Sequence, residues 1–177
     1  MFAHLTAALL AAGLSGAQPG PGALPVQDPA THAVQDSRAV TSWAVSPAFD
    51  GHVLDDVHDL SRLPALPAPV GEVRAGPGGV ADFSASRAMT ARADTVLALA
   101  RIGRDAPGPV MVEIGTGTRA QIFVNDRLVR RIPGAGRQTL TLDLAAGRNT
   151  VILALSGAPE VRTASLFLAG ESGPASW

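Results

Sequence analysis

The stretch that decides the fold is residues 94–169, in which short apolar segments are separated by turn residues. The segments are DTVLALARI (94–102), PVMVEIGT (109–116), RAQIFVN (119–125), RLVRRI (127–132), RQTLTLDL (137–144), RNTVILALS (148–156) and VRTASLFLA (161–169). Strands that recur about every 8 to 12 residues, with turn residues between them, are typical of β-sandwiches and barrels. The sequence therefore predicts an all-β sandwich.

The pattern inside these segments predicts which strands are covered on one face and which on both. Residues 139–144 alternate leucine with polar residues, as expected for a strand with one dry and one wet face. Residues 96–100 and 151–155 are continuous apolar runs, as expected for strands covered on both faces. Asn125 and Asp126 tolerate positive φ, so they predict a tight hairpin turn between two strands.

The first part of the domain has weaker signals. We expect short strands at residues 42–45, 72–75 and 80–83. The only helical signal, residues 84–92, is too short to form a stable helix alone. One core is expected to combine Ile122, Val124, Leu140, Leu142, Leu144 and Ile152.

Composition limits the function more than it defines it. The chain has 177 residues and a net charge of −1, which fits one domain plus tails and gives no reason to expect nucleic acid. It has no cysteine, which excludes disulfides, thiolate chemistry and cysteine-type zinc sites. All 14 basic residues are arginine, which we attribute to a GC-rich bacterial genome.

Four segments divide the chain. Residues 1–17 contain a short apolar stretch followed by small residues, which predicts an export signal or, alternatively, a short membrane-associated segment. Residues 18–39 are rich in proline and glycine and predict a tether. Residues 40–170 form the predicted sandwich, and residues 171–177 a C-terminal tail. The expected location is the periplasm or the exterior, with membrane association as an alternative.

Charge is distributed unevenly, with acidic residues concentrated in residues 28–59 and arginines in residues 119–148. This pattern indicates either two solvated surfaces or a polar interface, within the domain or with a partner.

The segment DGHVLDDVHD, residues 50–59, also raises the question of a metal. The interpretation we prefer is a solvated acidic loop, with structural calcium and a transition metal as alternatives. The ligands considered are Asp50, His52, Asp55, Asp56 and His58.

Several segments resemble a known family. Residues 114–129, IGTGTRAQIFVNDRLV, resemble the hairpin of galactose-binding-like jelly rolls in bacterial secreted proteins, and residues 142–156, LDLAAGRNTVILALS, resemble the strand pair that follows. Residues 42–50 are similar to the opening strand of that family and residues 163–169 to its closing strand. The resemblance implies an antiparallel jelly-roll β-sandwich with an extended N-terminal segment.

The resemblance also implies an accessory, non-catalytic role, because no catalytic residue transfers from this type of domain. The family's usual acidic pair in the hairpin loop falls on Gly117 and Thr118, so the loop lacks the carboxylates that hold ligands. The segment GTGTR, which begins at Gly115, has no lysine and is no phosphate loop. All four histidines precede the strand-rich region, which gives no support for a Ser-His-Asp set.

We therefore predict an exported, non-catalytic accessory or interaction subunit of a larger periplasmic, membrane-associated or cell-surface assembly. The alternatives are a carbohydrate-binding protein and, third, a small secreted hydrolase. No cofactor is expected apart from the calcium alternative, and the predicted partner is a protein, with carbohydrate as the alternative. The predicted partner contacts are the hairpin arginines, one outward aromatic and the terminal tryptophan: Arg119, Phe123, Arg127, Arg130, Arg131 and Trp177. For Phe123 the other interpretation, and the one we prefer, is a core role against a second layer.

Overall fold

The computed structural model describes residues 31–33 and 38–169, which contain twelve strands and four short 3-10 helices. The strands are β1 (Thr31–Ala33), β2 (Arg38–Ala39), β3 (Ser42–Val45), β4 (Gly71–Arg74), β5 (Val80–Asp82), β6 (Thr95–Arg104), β7 (Gly108–Thr116), β8 (Arg119–Val124), β9 (Arg127–Ile132), β10 (Gly136–Leu144), β11 (Gly147–Ser156) and β12 (Thr163–Leu168). The 3-10 helices are Gly51–Leu54, Leu60–Arg62, Pro77–Gly79 and Pro159–Val161. In these residues no helix is both long and apolar enough to span a membrane.

Two sheets form the sandwich. The larger sheet has the order β4-β3-β6-β11-β8-β9, with β1 added parallel to the end of β6. The smaller sheet has the order β10-β7-β12-β2, and β5 pairs with the other end of β12. Every described strand pair except β1 with β6 is antiparallel. The predicted antiparallel jelly-roll β-sandwich is confirmed.

The main core lies between the two sheets. Alternate residues of each strand point into it: Val96 and Ala98 from β6 meet Val112 and Ile114 from β7, and all four are fully buried. This alternation follows from the two-residue period of a strand. Trp43 on β3 closes one side of the core with its ring edge-on to Phe83, the centroids 6.1 Å apart.

A second core covers the outer face of the larger sheet. Its members are Phe49, Leu54, Leu60, Leu97, Phe123, Ile152 and Ala154, with Leu63 and Leu66 packed at its edge. The loop that follows β3 crosses this face and supplies the apolar cover. The continuous apolar runs of β6 and β11 are thereby explained, since both strands are covered on both faces as predicted.

This second core corrects one sequence-based expectation and decides between the two interpretations of Phe123. Ile152 belongs to the outer core and not to the inner one, because it pairs with Phe123 on the opposite face from Ile122. Phe123, which the sequence left either as a partner contact or as a residue packed against a second layer, is fully buried beneath the loop and therefore belongs to that second layer. Phe123 does point away from the main core, as its position in the strand predicts. The loop after β3 covers that outer face of the sheet, so the side chain is buried.

The local predictions for turns and early strands agree with the structure. Asn125 and Asp126 form the turn between β8 and β9 with φ of 48° and 69°. Strand β3 has the predicted bounds, and β4 and β5 lie within one residue of theirs. Residues 84–92 form turns and a single bridge instead of a helix. Asp82 starts these turns by accepting a hydrogen bond from Ser84 N at 2.8 Å.

The predicted tether is partly structured. Strands β1 and β2 both fall within residues 18–39, where the sequence shows no alternation of polar and apolar residues. Main-chain pairing to β6 and β12 orders them instead of a side-chain pattern. The predictions for residues 1–17 and 171–177 lie outside the described residues.

Candidate functional site

The loop after β3 docks on the free edge of β9 and forms a groove there. Leu60 N donates a hydrogen bond to Asp126 O and Leu128 N donates to His58 O, both at 2.8 Å. Asp59 and Arg127 form the bridge between these two bonds. The loop thus closes the edge of β9 with a short stretch of strand-like pairing.

Side chains of the larger sheet fix the rest of the loop. Gln121 donates through Nε2 to Leu54 O at 3.3 Å. Arg131 donates through Nη2 to Asp55 O at 3.0 Å and to Val57 O at 3.4 Å. Together with the burial of Leu54 in the outer core, these bonds hold the loop backbone before any ligand arrives.

Two aspartates begin the short helices of the loop. Asp50 accepts a hydrogen bond from His52 N at 3.1 Å, and Asp59 accepts from Ser61 N at 3.0 Å and from Ser61 Oγ at 2.6 Å. The Ser61 hydroxyl, helped by the charges of Arg62 and Arg127, holds the pKa of Asp59 below its usual range. Both carboxylates therefore act first as N-caps.

His52 pairs with Asp55, Nδ1 to Oδ2, at 2.9 Å on the exposed side of the loop. This hydrogen bond, with the charge of Asp50, raises the pKa of His52. Among the described residues, no three histidine or carboxylate side chains come together as a metal site would need. The candidate ligands Asp50, His52, Asp55, Asp56 and His58 are spread along the loop, because Asp50 and Asp55 already serve the backbone and His52.

The groove between this loop and β9 has a volume of about 530 Å³. We call it the polar groove. Its walls are Asp56, Val57, His58, Asp59, Arg62, Leu63, Arg127 and Leu128. The floor of the groove is apolar, because Leu63 and Leu128 pack against the outer core and remain half-buried. The charged side chains stand around this floor.

The acidic loop and the basic hairpin therefore meet inside the domain. This was one of the alternatives that the uneven charge distribution left open. Asp59 lies beside Arg127, and the carbonyls of Asp55 and Val57 accept from Arg131. Sequence analysis missed the groove itself, in particular Arg62 and Leu128. The complementary charge of the two segments was the available signal.

The structure separates the predicted contact arginines. Arg119 lies at the far end of β8 from the hairpin turn, in an ion pair with Asp94 at 3.1 Å. Arg131 is engaged by the loop carbonyls, and Arg127 lines the polar groove. Arg130 pairs across from Ile122, on the opposite face from Arg131. They do not form one patch, because successive strand residues point to opposite faces.

The remaining predicted contacts do not extend this surface. Phe123 is buried, which removes it from any partner surface, and Trp177 lies outside the described residues. The loop that the family resemblance marks as a ligand loop is also packed. A Cβ at Gly117 would collide with the carbonyl oxygen of Val161, and Thr118 is buried and donates to Ser156 O. The 3-10 helix Pro159–Val161 therefore packs directly against this loop.

A second groove lies on the outer face of the smaller sheet. It has a volume of about 390 Å³, and Met111, Thr139, Phe167 and Ala169 contribute to its lining. Met111 is 51% exposed, and Phe167 is half-buried. We call it the sheet-face groove.

No protein-family model matches the chain, and no curated protein matches its sequence. The CBM35 from Cellvibrio japonicus Abf62 is 17% identical with a TM-score of 0.38, covering 71% of this chain and 93% of that one. A family 35 carbohydrate-binding module from an environmental isolate is 20% identical with a TM-score of 0.36, covering 44% of this chain and 68% of that one.

A GH2 beta-galacturonidase from Eisenbergiella tayi, bound to galacturonate, is 13% identical with a TM-score of 0.47. The alignment covers 80% of this chain but 26% of that enzyme, so the chain spans about a quarter of its length. The described residues form the two-sheet sandwich that the resemblance in the sequence implies. With identities of 20% or less and TM-scores below 0.5, none of these similarities identifies a ligand for this chain.

Proposed function

We propose that the chain is a non-catalytic carbohydrate-binding domain and that the sugar lies in the polar groove. The observation that carries the proposal is the lining of this groove, in which planar hydrogen-bonding groups surround an apolar floor. Its volume of about 530 Å³ falls within the range of small-ligand sites. The proposed ligand therefore contacts the loop after β3, and not the hairpin loop at Gly117.

The chemistry of the groove fits a polyol better than a flat apolar ligand. Sugar hydroxyls both donate and accept hydrogen bonds, and the groove offers both functions. Asp56 and Asp59 carry acceptor oxygens, while the guanidinium groups of Arg62 and Arg127 donate. The half-buried side chains of Leu63 and Leu128 provide an apolar surface for the C–H face of a ring.

The fixed backbone of the loop favours binding, because little further ordering is needed. The bonds from Leu60 N to Asp126 O and from Leu128 N to His58 O already hold both walls. Preorganisation of this kind reduces the entropic cost of association. Within the described part of the chain no Phe or Trp side chain lines the groove, because Trp43, Phe49, Phe83 and Phe123 are buried and Phe167 lies on the other sheet. We therefore expect weak binding, with a Kd of roughly 0.1 to 1 mM.

The groove does not suit hydrolysis. A glycosidase needs one carboxyl group that stays protonated, with a raised pKa, opposite a second ionised one. The pKa of Asp59 is lowered instead, by the Ser61 hydroxyl and the neighbouring arginines. In the described part of the chain, no hydrogen bond joins His52 or His58 to a serine, as a serine nucleophile with a histidine base would need.

The proposal is tested by screening the purified protein against a glycan array and measuring the strongest ligand by calorimetry. Arg127→Ala and His58→Ala should each weaken binding about tenfold or more, because each removes hydrogen bonds to the ligand. Arg148→Ala is the matched control, since Arg148 is exposed and outside the groove. The proposal fails if no glycan binds, or if Arg127→Ala leaves the affinity unchanged.

A second function, the accessory or interaction subunit, is favoured by the sheet-face groove. Met111 is 51% exposed beside the half-buried Phe167, an apolar pair that a protein partner could cover. Isolation of the native protein under mild conditions tests this function. Met111→Asp should then release the protein from its complex, whereas Arg127→Ala should not.

Export through residues 1–17 and a periplasmic or secreted location are part of this proposal, and N-terminal sequencing of the native protein tests them.

A further inference from the structure

Strand β10 forms a long edge of the smaller sheet. All nine of its residues, Gly136–Leu144, pair with β7 on one side without a bulge. No described strand pairs with its other side. An edge strand of this length, with no proline and no bulge, is a template for pairing with another chain.

The other sheet edges lack these properties. Strand β4 has four residues, β5 has three and β2 has two. The edge of β9 is closed by the loop at His58 and Leu60, and its pairing with β8 contains a bulge. Among the described residues, β10 is therefore the edge that is both long and regular.

We propose that two copies of the chain pair antiparallel through β10 about a two-fold axis at Leu140. The strand runs from residue 136 to residue 144, so full-length pairing places residue 140 opposite itself. In this register Arg137 of each copy lies opposite Asp143 of the other. The register that pairs the whole length of the strand therefore also places the opposite charges beside each other.

In this register, residues on the solvent face of one copy lie opposite residues on the solvent face of the other, and the same holds for the core face. Thr139 lies opposite Thr141 of the second copy, and both are exposed on the solvent face with the Arg–Asp pairs. Leu142 is buried in the main core and Leu140 packs against that core half-buried, so pairing covers its remaining exposed surface. A centre at Thr141 would place Asp143 opposite Thr139 and lose both ion pairs.

The two charged residues differ in their present contacts. Glu113 holds the Arg137 guanidinium through Nη1 at 3.1 Å, which leaves its other N–H groups to donate. Asp143 makes no hydrogen bond or ion pair with any described residue. Pairing gives Asp143 a partner and joins two five-stranded sheets into one continuous sheet. This inference is independent of the ligand proposed above, because the polar groove lies at the larger sheet and β10 belongs to the smaller one.

Sedimentation equilibrium of the full chain tests this pairing, and the chain is expected to be a dimer. Asp143→Arg should raise the dimer dissociation constant about tenfold or more, because it replaces two attractive pairs with two repulsive ones. The double variant Arg137→Asp with Asp143→Arg should restore the dimer. Asp105→Arg, the same charge change at an exposed loop position, should leave it intact. A chain that is monomeric throughout, or a dimer that Asp143→Arg does not weaken, overturns the proposal.

A cross-link tests the register separately, since the chain has no cysteine. Leu140→Cys should form an interchain disulfide on mild oxidation, because paired residues of antiparallel strands have Cβ atoms about 5 Å apart. Met111→Cys on β7 is the control, because the two copies of that position would be separated by three strand spacings and thus lie more than about 14 Å apart. Cross-linking of Met111→Cys without Leu140→Cys contradicts the edge pairing. Circular dichroism confirms that each variant is folded.

Discussion

The side chains of Asn125 and Asn149 are hydrogen-bonded to each other, Nδ2 of Asn125 donating to Oδ1 of Asn149 at 2.9 Å. Asn149 is fully buried, and its amide also exchanges two hydrogen bonds of 2.8 Å with the main chain of Ala145. Asn125 accepts from Thr150 N at 2.9 Å. Two polar side chains therefore join the hairpin turn of β8 and β9 to the turn before β11.

Asn149→Leu should destabilise the domain by about 3 kcal/mol. The substitution removes three part-buried hydrogen bonds of the Asn149 amide, one to Asn125 and two to the main chain of Ala145, and each such bond contributes roughly 1 kcal/mol. Chemical denaturation measures the loss. Arg148→Ala, at the exposed neighbouring position, is the control and should stay within about 0.5 kcal/mol of the parent. An equal effect of both variants would show that the turn, and not the amide, is responsible.

Substitutions at Asn125 separate backbone strain from hydrogen bonding. Asn125→Gly keeps the φ of 48° without strain and loses two side-chain hydrogen bonds, which should cost about 1 kcal/mol. Asn125→Val loses the same bonds and adds the strain of a β-branched residue at positive φ, roughly 1 to 3 kcal/mol more. Thermal melts of the two variants should therefore differ clearly, and identical melts would refute the assigned turn conformation.

The parts of the fold that sequence predicted correctly depend on local chemistry. The turn at Asn125 and Asp126 follows from their tolerance of positive φ, and the strands from two-residue alternation. The apolar run at residues 151–155 predicted cover on both faces, but which segment covers Phe123 and Ile152 could not be predicted, because the loop that does so has no periodic pattern. The apolar residues of that loop, such as Leu54 and Leu60, lie in two short 3-10 helices. Their spacing in the sequence therefore matches neither a strand nor an α-helix.

The site was predicted less well than the fold, for a related reason. The unequal charge of two segments left an interface between them open as one of two interpretations, and Asp59 and Arg127 do lie side by side. Which arginine meets which acid depends on strand register: Arg119 pairs with Asp94 and Arg131 with loop carbonyls. Neither pairing has a signal in the sequence, so the sequence could not show that the predicted contact arginines lie on separate surfaces.

Asp94 should make stability depend on pH in the acid range. Burial raises its pKa, but hydrogen bonds from Gly51 N and Thr95 Oγ1 and the charge of Arg119 outweigh burial, so the net pKa is lowered. A carboxyl group with a lowered folded pKa contributes stability above its unfolded pKa of about 4, and that stability is lost as pH falls through the folded pKa.

Asp94→Asn should therefore lower stability at pH 7, by about 1 kcal/mol after allowing for the partial exposure of this carboxylate. The gap between the variant and the parent should narrow as pH falls below about 4. Denaturation curves between pH 7 and pH 3 measure both effects. A gap that stays constant with pH would mean that the charge of Asp94 contributes nothing.

Metal removal should change stability little. Asp50 and Asp59 already cap short helices and Asp55 pairs with His52, so no three ligands converge in the described residues. Melting with and without EDTA should give the same midpoint within about 1 °C, since a bound metal would add stability by mass action. A large decrease that calcium reverses would show that the acidic loop holds an ion.

The central claim is that a carbohydrate lies in the polar groove, and a nuclear magnetic resonance titration tests it most directly. Isotope-labelled protein is titrated with the strongest glycan from the array, and backbone amide shifts are mapped onto the fold. We predict shifts at residues 56–63 and at Arg127 and Leu128. Shifts confined to Met111, Thr139 and Phe167, or none with any glycan, would contradict the claim.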